Sequence, residues 1–205
     1  MSPWLQHDLL VLTLEHITLV LISVTAAILV GVPLGIVIYR VPSVRRSALS
    51  VISIVQTIPS LALFGFLIPI PFLGVGKRTA VVALVLYALL PIVRNTFTGL
   101  LSVDEAVRES AVAMGMTPNQ VLRIVEIPLA LRTILTGIRV ATVTTVGTAT
   151  IAAAIGAGGL GVFIFRGVAT VDTAQLLAGS IPAALIALVA DAALGWVEKK
   201  SVVST

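Results

Sequence analysis

Apolar and polar positions fall along this chain in long blocks rather than in short alternation. Five stretches are nearly free of charge, and each is close to the ~20 residues that a bilayer's hydrocarbon core requires. They run from about Ile17 to Tyr39, Ala48 to Ile70, Thr79 to Leu100, Leu129 to Ile155 and Ala174 to Trp196. The pattern predicts an all-α membrane protein with five transmembrane helices, because lipid leaves no partner for unpaired backbone groups. Met1 to His16 lacks a positively charged start and contains Asp8 and Glu15. It is therefore expected to form an amphipathic helix at about residues 3–16, lying on the membrane surface, rather than a cleaved signal. Residues 1–205 are expected to make one transmembrane domain.

Prolines and glycines recur inside these blocks: Gly31, Pro33 and Gly35 in the first, Pro59, Pro91 and Pro182 in later ones. Buried helices tolerate such breaks where neighbours satisfy the freed backbone. Gly31 and Gly35 have small-xxx-small spacing, suited to close helix packing.

Composition agrees with the blocks. The 205 residues are 58% hydrophobic and 11% charged, with a mean hydropathy of +1.14. Soluble domains carry about 25% charged residues. The net charge of +4 does not point to nucleic acid, because the cations flank apolar spans. Arg40, Arg45 and Arg46 lie in the first loop. Arg108 and Arg123 lie in the third, followed by Arg132 and Arg139 early in the fourth span, and Lys199 and Lys200 close the chain. Lys77, Arg78 and Arg166 fall on the other side. The excess places the third loop and the C-terminus in the cytoplasm and the N-terminus outside. Cysteine is absent and only His7 and His16 are present, so thiolate chemistry and a histidine-rich metal site are excluded. No clustered carboxylates or Ser/His/Asp set marks an enzyme.

The third loop, Ser102 to Ile127, carries the most information. Ser102 and Glu105 have capping-box spacing, and the first short helix should end near Met114 at Gly115. Thr117, Pro118 and Gln120 start a second, with Val121, Ile124 and Val125 on its apolar face. Pro128 is expected to break the chain before the fourth span. A compact helical pair outside the bilayer suits docking into a partner's groove. A solvated hairpin joining two spans fits the same pattern.

At these residues the chain resembles a known family. Glu109, Ser110, Ala111, Gly115, Val125, Ile127 and Pro128 match the spacing of the EAA loop of importer permeases in the ATP-binding-cassette superfamily, with Ser110, Val125 and Ile127 as small departures. The resemblance implies the type I importer permease fold and a loop that seats as a coupling helix in a cytoplasmic ATP-binding subunit. Gln56–Pro69, Leu86–Thr96, Pro33–Gly35 and Gly156–Gly161 look like the osmoprotectant branch, whose substrates include glycine betaine, choline and carnitine. Methionine-type permeases share the five-span size. The family further implies a second permease copy or sister permease, an extracytoplasmic substrate-binding protein, and residence in a bacterial inner membrane. ATP and magnesium would be held by the partner, with no cofactor in this chain.

Gly156, Gly158, Gly159 and Gly161 satisfy a dinucleotide fingerprint by letter, but an apolar helix precedes them and no acidic residue follows at the required distance. A tight outer loop is the better reading. No phosphate-binding G-x-x-x-x-G-K-[ST] occurs, so ATP hydrolysis is expected in a separate chain. Gln56, Thr57, Ser60 and Tyr87, with Thr144 and Thr145 among the threonines of the fourth span (Thr142 and Thr148 are the others), are candidates to line a substrate path or to bond neighbouring helices. Arg94 and Arg139 are expected to snorkel toward the inner interface, and Asp191 to form an ion pair. An ion-coupled carrier or a membrane enzyme would require intramembrane carboxylates or clustered His, Asp and Glu, which the sequence lacks.

Overall fold

The structure, a computed structural model, describes residues 3–201, with side chains described from Asp8 onward. The first two and last four residues of the expected single domain, and the side chain of His7, lie outside the described residues. Nine α-helices follow one another, and there is no strand among the described residues: α1 (Pro3–Arg40), α2 (Pro42–Thr57), α3 (Ser60–Leu67), α4 (Lys77–Leu101), α5 (Glu105–Ala113), α6 (Pro118–Gln120), α7 (Ile127–Ile151), α8 (Gly161–Thr170) and α9 (Thr173–Lys200). A π-helical stretch, Val121–Glu126, joins α6 to α7, and a 3-10 turn, Ala152–Ile155, ends α7.

α4 is the central helix, packed against α1 on one side and α7 on the other, with α9 beyond α7. Small residues let the backbones approach. A Cβ on Gly35 would lie 2.6 Å from Thr96 Cβ, and one on Gly31 would lie 2.8 Å from Ile92 Cγ2, so this pair seats α1 on α4. Gly137 does the same for α7, with Asn95 Cβ 2.5 Å from the position a Cβ would take. Leu19, Phe64, Leu84 and Val146 fill the main core between α1, α3, α4 and α7. Large apolar side chains remain exposed around the outside, including Leu21, Leu29, Leu185, Leu188 and Val189. A lipid-facing surface has this character.

The spans differ in detail from the sequence pattern. By length and apolarity α1 (over Asp8–Arg40), α4 and α9 qualify, with α2 and α3 together as a bent fourth. α7 is not among them. At 25 residues it is long enough to cross, but it carries Arg132, Arg139 and a file of threonines. No surface helix at residues 3–16 stands apart from the first span. One helix runs through residue 16, because nothing between Pro3 and Gly31 interrupts it, and His16 is fully buried. The second block is bent by 102° at Ile58–Pro59, where Pro59 cannot continue α2. Conversely, Pro128 causes no break. It sits in the first turn of α7, and the wider π-helical turn before it accommodates the missing N–H.

Opposite the α5–α6 end, Gly156, Gly158 and Gly159 take positive φ of 73°, 82° and 77° and form the tight loop expected from sequence. The loop lies against Glu15, which accepts from Gly159 N at 3.3 Å and pairs with Lys77 at 2.7 Å. His16 Nε2 lies 3.2 Å from Val146 O. α8, absent from the sequence reading, follows this loop. Asp172 caps α9, and the Gln175 side chain and the α9 N–H groups hold its carboxyl below the usual range.

Replacing Gly137 with Val is expected to force α7 away from α4 and cost about 2 kcal/mol. It should lower the thermal midpoint of the detergent-purified protein by several degrees. Gly147→Ala meets nothing within 4 Å and should leave that midpoint in place. Equal midpoints for both variants would contradict this packing.

Candidate functional site: the helical loop and the polar cavity

The loop between α4 and α7 has two short helices and a defined turn. Asp104, not Ser102, caps α5 by accepting from Ala106 N at 2.9 Å. Ser102 lies at the end of α4 and donates to Gly99 O instead. The chain takes one more residue to leave α4, which shifts the cap. α5 ends in a Schellman motif, with Met116 N bonded to Ala111 O at 3.2 Å and Gly115 N to Val112 O at 2.9 Å. Gly115 has φ of +85°, a conformation that favours glycine. Thr117 and Gln120 form the expected capping box of α6.

Glu109, Ser110, Gly115 and Pro128 are exposed, Val125 and Ile127 are half-buried, and Ala111 packs inward. Around them Val107, Val112, Met114 and Ile124 expose apolar surface outside the bundle. An apolar face beside Glu109 has the character of a docking surface.

The loop is clamped to the bundle by residues the sequence reading passed over. Glu126, 5% exposed, accepts from Arg108 Nε at 2.8 Å and from the Tyr39 hydroxyl at 2.6 Å. Arg108 also donates to Leu100 O at 2.6 Å and stacks over the Tyr39 ring. Arg40 donates to Asn119 Oδ1 at 2.9 Å. The loop is thus tied to the ends of α1, α4 and α7. The available sequence signal was Glu126 itself, a carboxylate between Val125 and Ile127 in an apolar run.

A second feature is an open cavity of about 440 Å³, lined by Gln56, Tyr87, Leu90, Pro91, Arg94, Asn95, Val140, Thr144 and Thr148. Proline creates part of its polarity. Pro91 has no N–H, so the carbonyl of Tyr87, four residues earlier, loses its helical donor. Gln56 Nε2 supplies one at 2.8 Å. In return the Tyr87 hydroxyl donates to Ile58 O, beside the bend after α2. The broken helix and α4 satisfy each other.

Of the six candidate path residues, the structure brings Gln56, Tyr87 and Thr144 to this cavity and leaves three outside it. Thr145 is 2% exposed and donates to Ala141 O within α7, because its position on the helix turns it into the core. Thr57 donates to Ile54 O in its own helix, and Ser60 opens α3 beyond the bend. Arg94 and Asn95 line the cavity and were missed as lining residues. Arg139 pairs in bidentate fashion with Asp191, at 2.6 and 2.7 Å, and joins α7 to α9.

This arrangement, a helical bundle with a clamped helical loop at one end and a polar cavity on one side, is that of a transport protein's membrane subunit. The chain belongs to the binding-protein-dependent transport system inner membrane components, which it matches over residues 23–202. It is 44% identical to the choline transport system permease protein OpuBB of Bacillus subtilis (strain 168), over 94% of this chain and 88% of that one. It is 47% identical to the carnitine transport permease protein OpuCB of Listeria monocytogenes, over 94% and 87%. It is 46% identical to the B. subtilis glycine betaine/carnitine/choline permease protein OpuCD, over 90% and 80%. A chain of the MetNI methionine ABC transporter, in an inward-facing conformation, has the same fold, with a TM-score of 0.89 at 23% identity over 98% of this chain and 99% of that one.

Removing Glu126 leaves Arg108 half-enclosed without its carboxylate. Glu126→Ala is expected to cost about 3 kcal/mol, the scale for breaking a buried pair. The readout is faster tryptic cleavage at Arg108 and Arg123 in the purified protein. Unchanged cleavage would remove the clamp from the account.

Proposed function

We propose that this chain is the membrane permease of an ATP-driven importer for quaternary-ammonium osmoprotectants such as glycine betaine, carnitine and choline. The observation that carries the reading is the similarity of 42–47% to permeases named for these solutes over most of the chain. The helical loop fits the same role. Its exposed apolar face beside Glu109 would seat in a separate ATPase subunit, which would hold ATP and magnesium. The clamp through Arg108, Glu126 and Tyr39 would carry the stroke of that subunit to α1, α4 and α7.

In this reading five segments cross the inner membrane, the N-terminus is outside, and the loop and C-terminus are cytoplasmic. A second copy or a sister permease faces the polar cavity and completes the path, because one such bundle leaves the cavity open. Gln56, Tyr87 and Thr144 belong to the path wall. Recognition of the quaternary ammonium group would rest largely with an extracytoplasmic binding protein, since this chain is only 5% aromatic and no aromatic cage for such a group occurs among the described residues. The methionine alternative has only the shared fold behind it.

The test is uptake of labelled glycine betaine, carnitine and choline in a host stripped of its own osmoprotectant importers. The host would express this permease with its ATPase and binding protein. Saturable uptake of at least one solute, lost when the ATPase is omitted, is the expected result. Uptake that survives that omission would make the protein a carrier instead.

A Cβ on Gly115 meets no neighbour, so a substitution there strains the loop backbone and places a side chain on the docking face. Gly115→Asp is expected to leave the protein in the membrane, keep ATP hydrolysis and lower uptake at least tenfold. Normal uptake by this variant would sink the docking role.

A further inference from the structure

The body of a membrane helix is a costly place for a guanidinium group. Several cations of the bundle have a partner: Arg108 has Glu126, Arg139 has Asp191, the largely exposed Arg132 has Glu198 at 3.8 Å, and Arg45, whose buried Nε has no hydrogen bond, lies 4.8 Å from the Phe97 ring centroid. Arg94 differs. It lies seven residues inside the loop end of α4, roughly 10 Å along the helix at 1.5 Å per residue. Its guanidinium has no hydrogen bond or ion pair with any described residue, and it lines two adjoining cavities, of about 440 and 340 Å³.

The charge in those cavities is one-sided. Their other lining side chains are apolar or neutral, and no carboxylate is among them. The carboxylate of the neighbouring cavity, Asp191, is already neutralised by two hydrogen bonds from Arg139. Arg94 is exposed in this open cavity, and an unpaired guanidinium there favours an anionic group that can take two parallel N–H bonds; a carboxylate has that geometry. It disfavours a ligand whose only charge is positive.

We infer that Arg94 is a specificity-determining residue of the translocation path, binding the carboxylate of zwitterionic solutes during passage and favouring them over choline, which has no carboxylate. The inference rests on the osmoprotectant reading above and narrows it to the carboxylate-bearing members.

The test reconstitutes the complete importer, permease with ATPase and binding protein, into liposomes. It compares uptake of glycine betaine, carnitine and choline by the wild type, Arg94→Gln and Arg94→Lys. The expected result is a carboxylate-to-choline uptake ratio at least about tenfold lower in Arg94→Gln, and a smaller fall in Arg94→Lys, which keeps the charge but not the bidentate fork. Where the wild type carries only the carboxylate solutes, the same fall is expected in their absolute uptake, with the permease pair still assembled. Three results would overturn the inference while leaving the importer reading in place. One is a wild type that carries choline and neither carboxylate. Another is an Arg94→Gln variant that changes all solutes alike or not at all. The third is an Arg94→Gln variant whose permease pair falls apart in detergent, which would make Arg94 an interface residue. A wild type that carries none of the three overturns the osmoprotectant reading, and this inference with it.

Discussion

A carboxylate almost sealed from water holds the helical-loop end of this protein together. Glu126 accepts from Arg108 and from Tyr39, so one acidic group joins the helical loop to α1 and to the start of α7. Burying it alone would be costly, and it is tolerable only because both its partners are in place. The same condition gives the loop its orientation. With Arg108 also bonded to Leu100 O and Arg40 to Asn119, the short helices cannot swing independently of α1 and α4. A loop that pivoted freely would lose any force applied to it. A clamped one passes the displacement into the bundle.

The rest of the bundle follows a related rule: where a helix is interrupted, a neighbour supplies the missing bond. Pro91 frees a carbonyl that Gln56 satisfies, and Tyr87 reaches the carbonyl of Ile58 beside the bend. These bonds leave a polar, water-accessible recess in an otherwise apolar protein, because the groups that repair broken helices must gather where the helices are broken. The same local chemistry thus makes the fold tolerable and the cavity polar.

The two ends of the molecule are built differently. At the loop end, charged pairs and long side chains connect the elements, among them Arg139 with Asp191 and Glu198. At the other end, glycines in the left-handed region bring backbone against Glu15 and His16. Salt bridges can exchange partners as helices shift, whereas close-packed backbone resists shear.

Much of this was legible in the sequence, for reasons tied to particular residues. Spans are a one-dimensional property, set by the number of consecutive apolar residues, and the blocks around α1, α4 and α9 announced themselves. Local capping chemistry was legible too, since Thr117, Gln120 and Gly115 act within a few residues of one another. The glycine-rich segment read as a tight loop once a dinucleotide site was ruled out, and three of its glycines take a left-handed backbone in the structure. What needed the tertiary structure was every contact between distant residues. Tyr39 and Glu126 are 87 positions apart, and nothing local marks them as partners. Thr144 and Thr145 are neighbours in sequence, yet one lines the cavity and the other is buried, because about 100° of helix rotation separates them. Pro128 reads as a break and is none, because a π-helical turn before it absorbs the missing bond. The sequence by itself determined that the chain lives in a membrane and carries a pair of short helices between two of its apolar blocks. Only the packing of the helices decided which polar groups are repaired, which are clamped, and that Arg94 opens into the cavity without an ion-pair partner among the described residues.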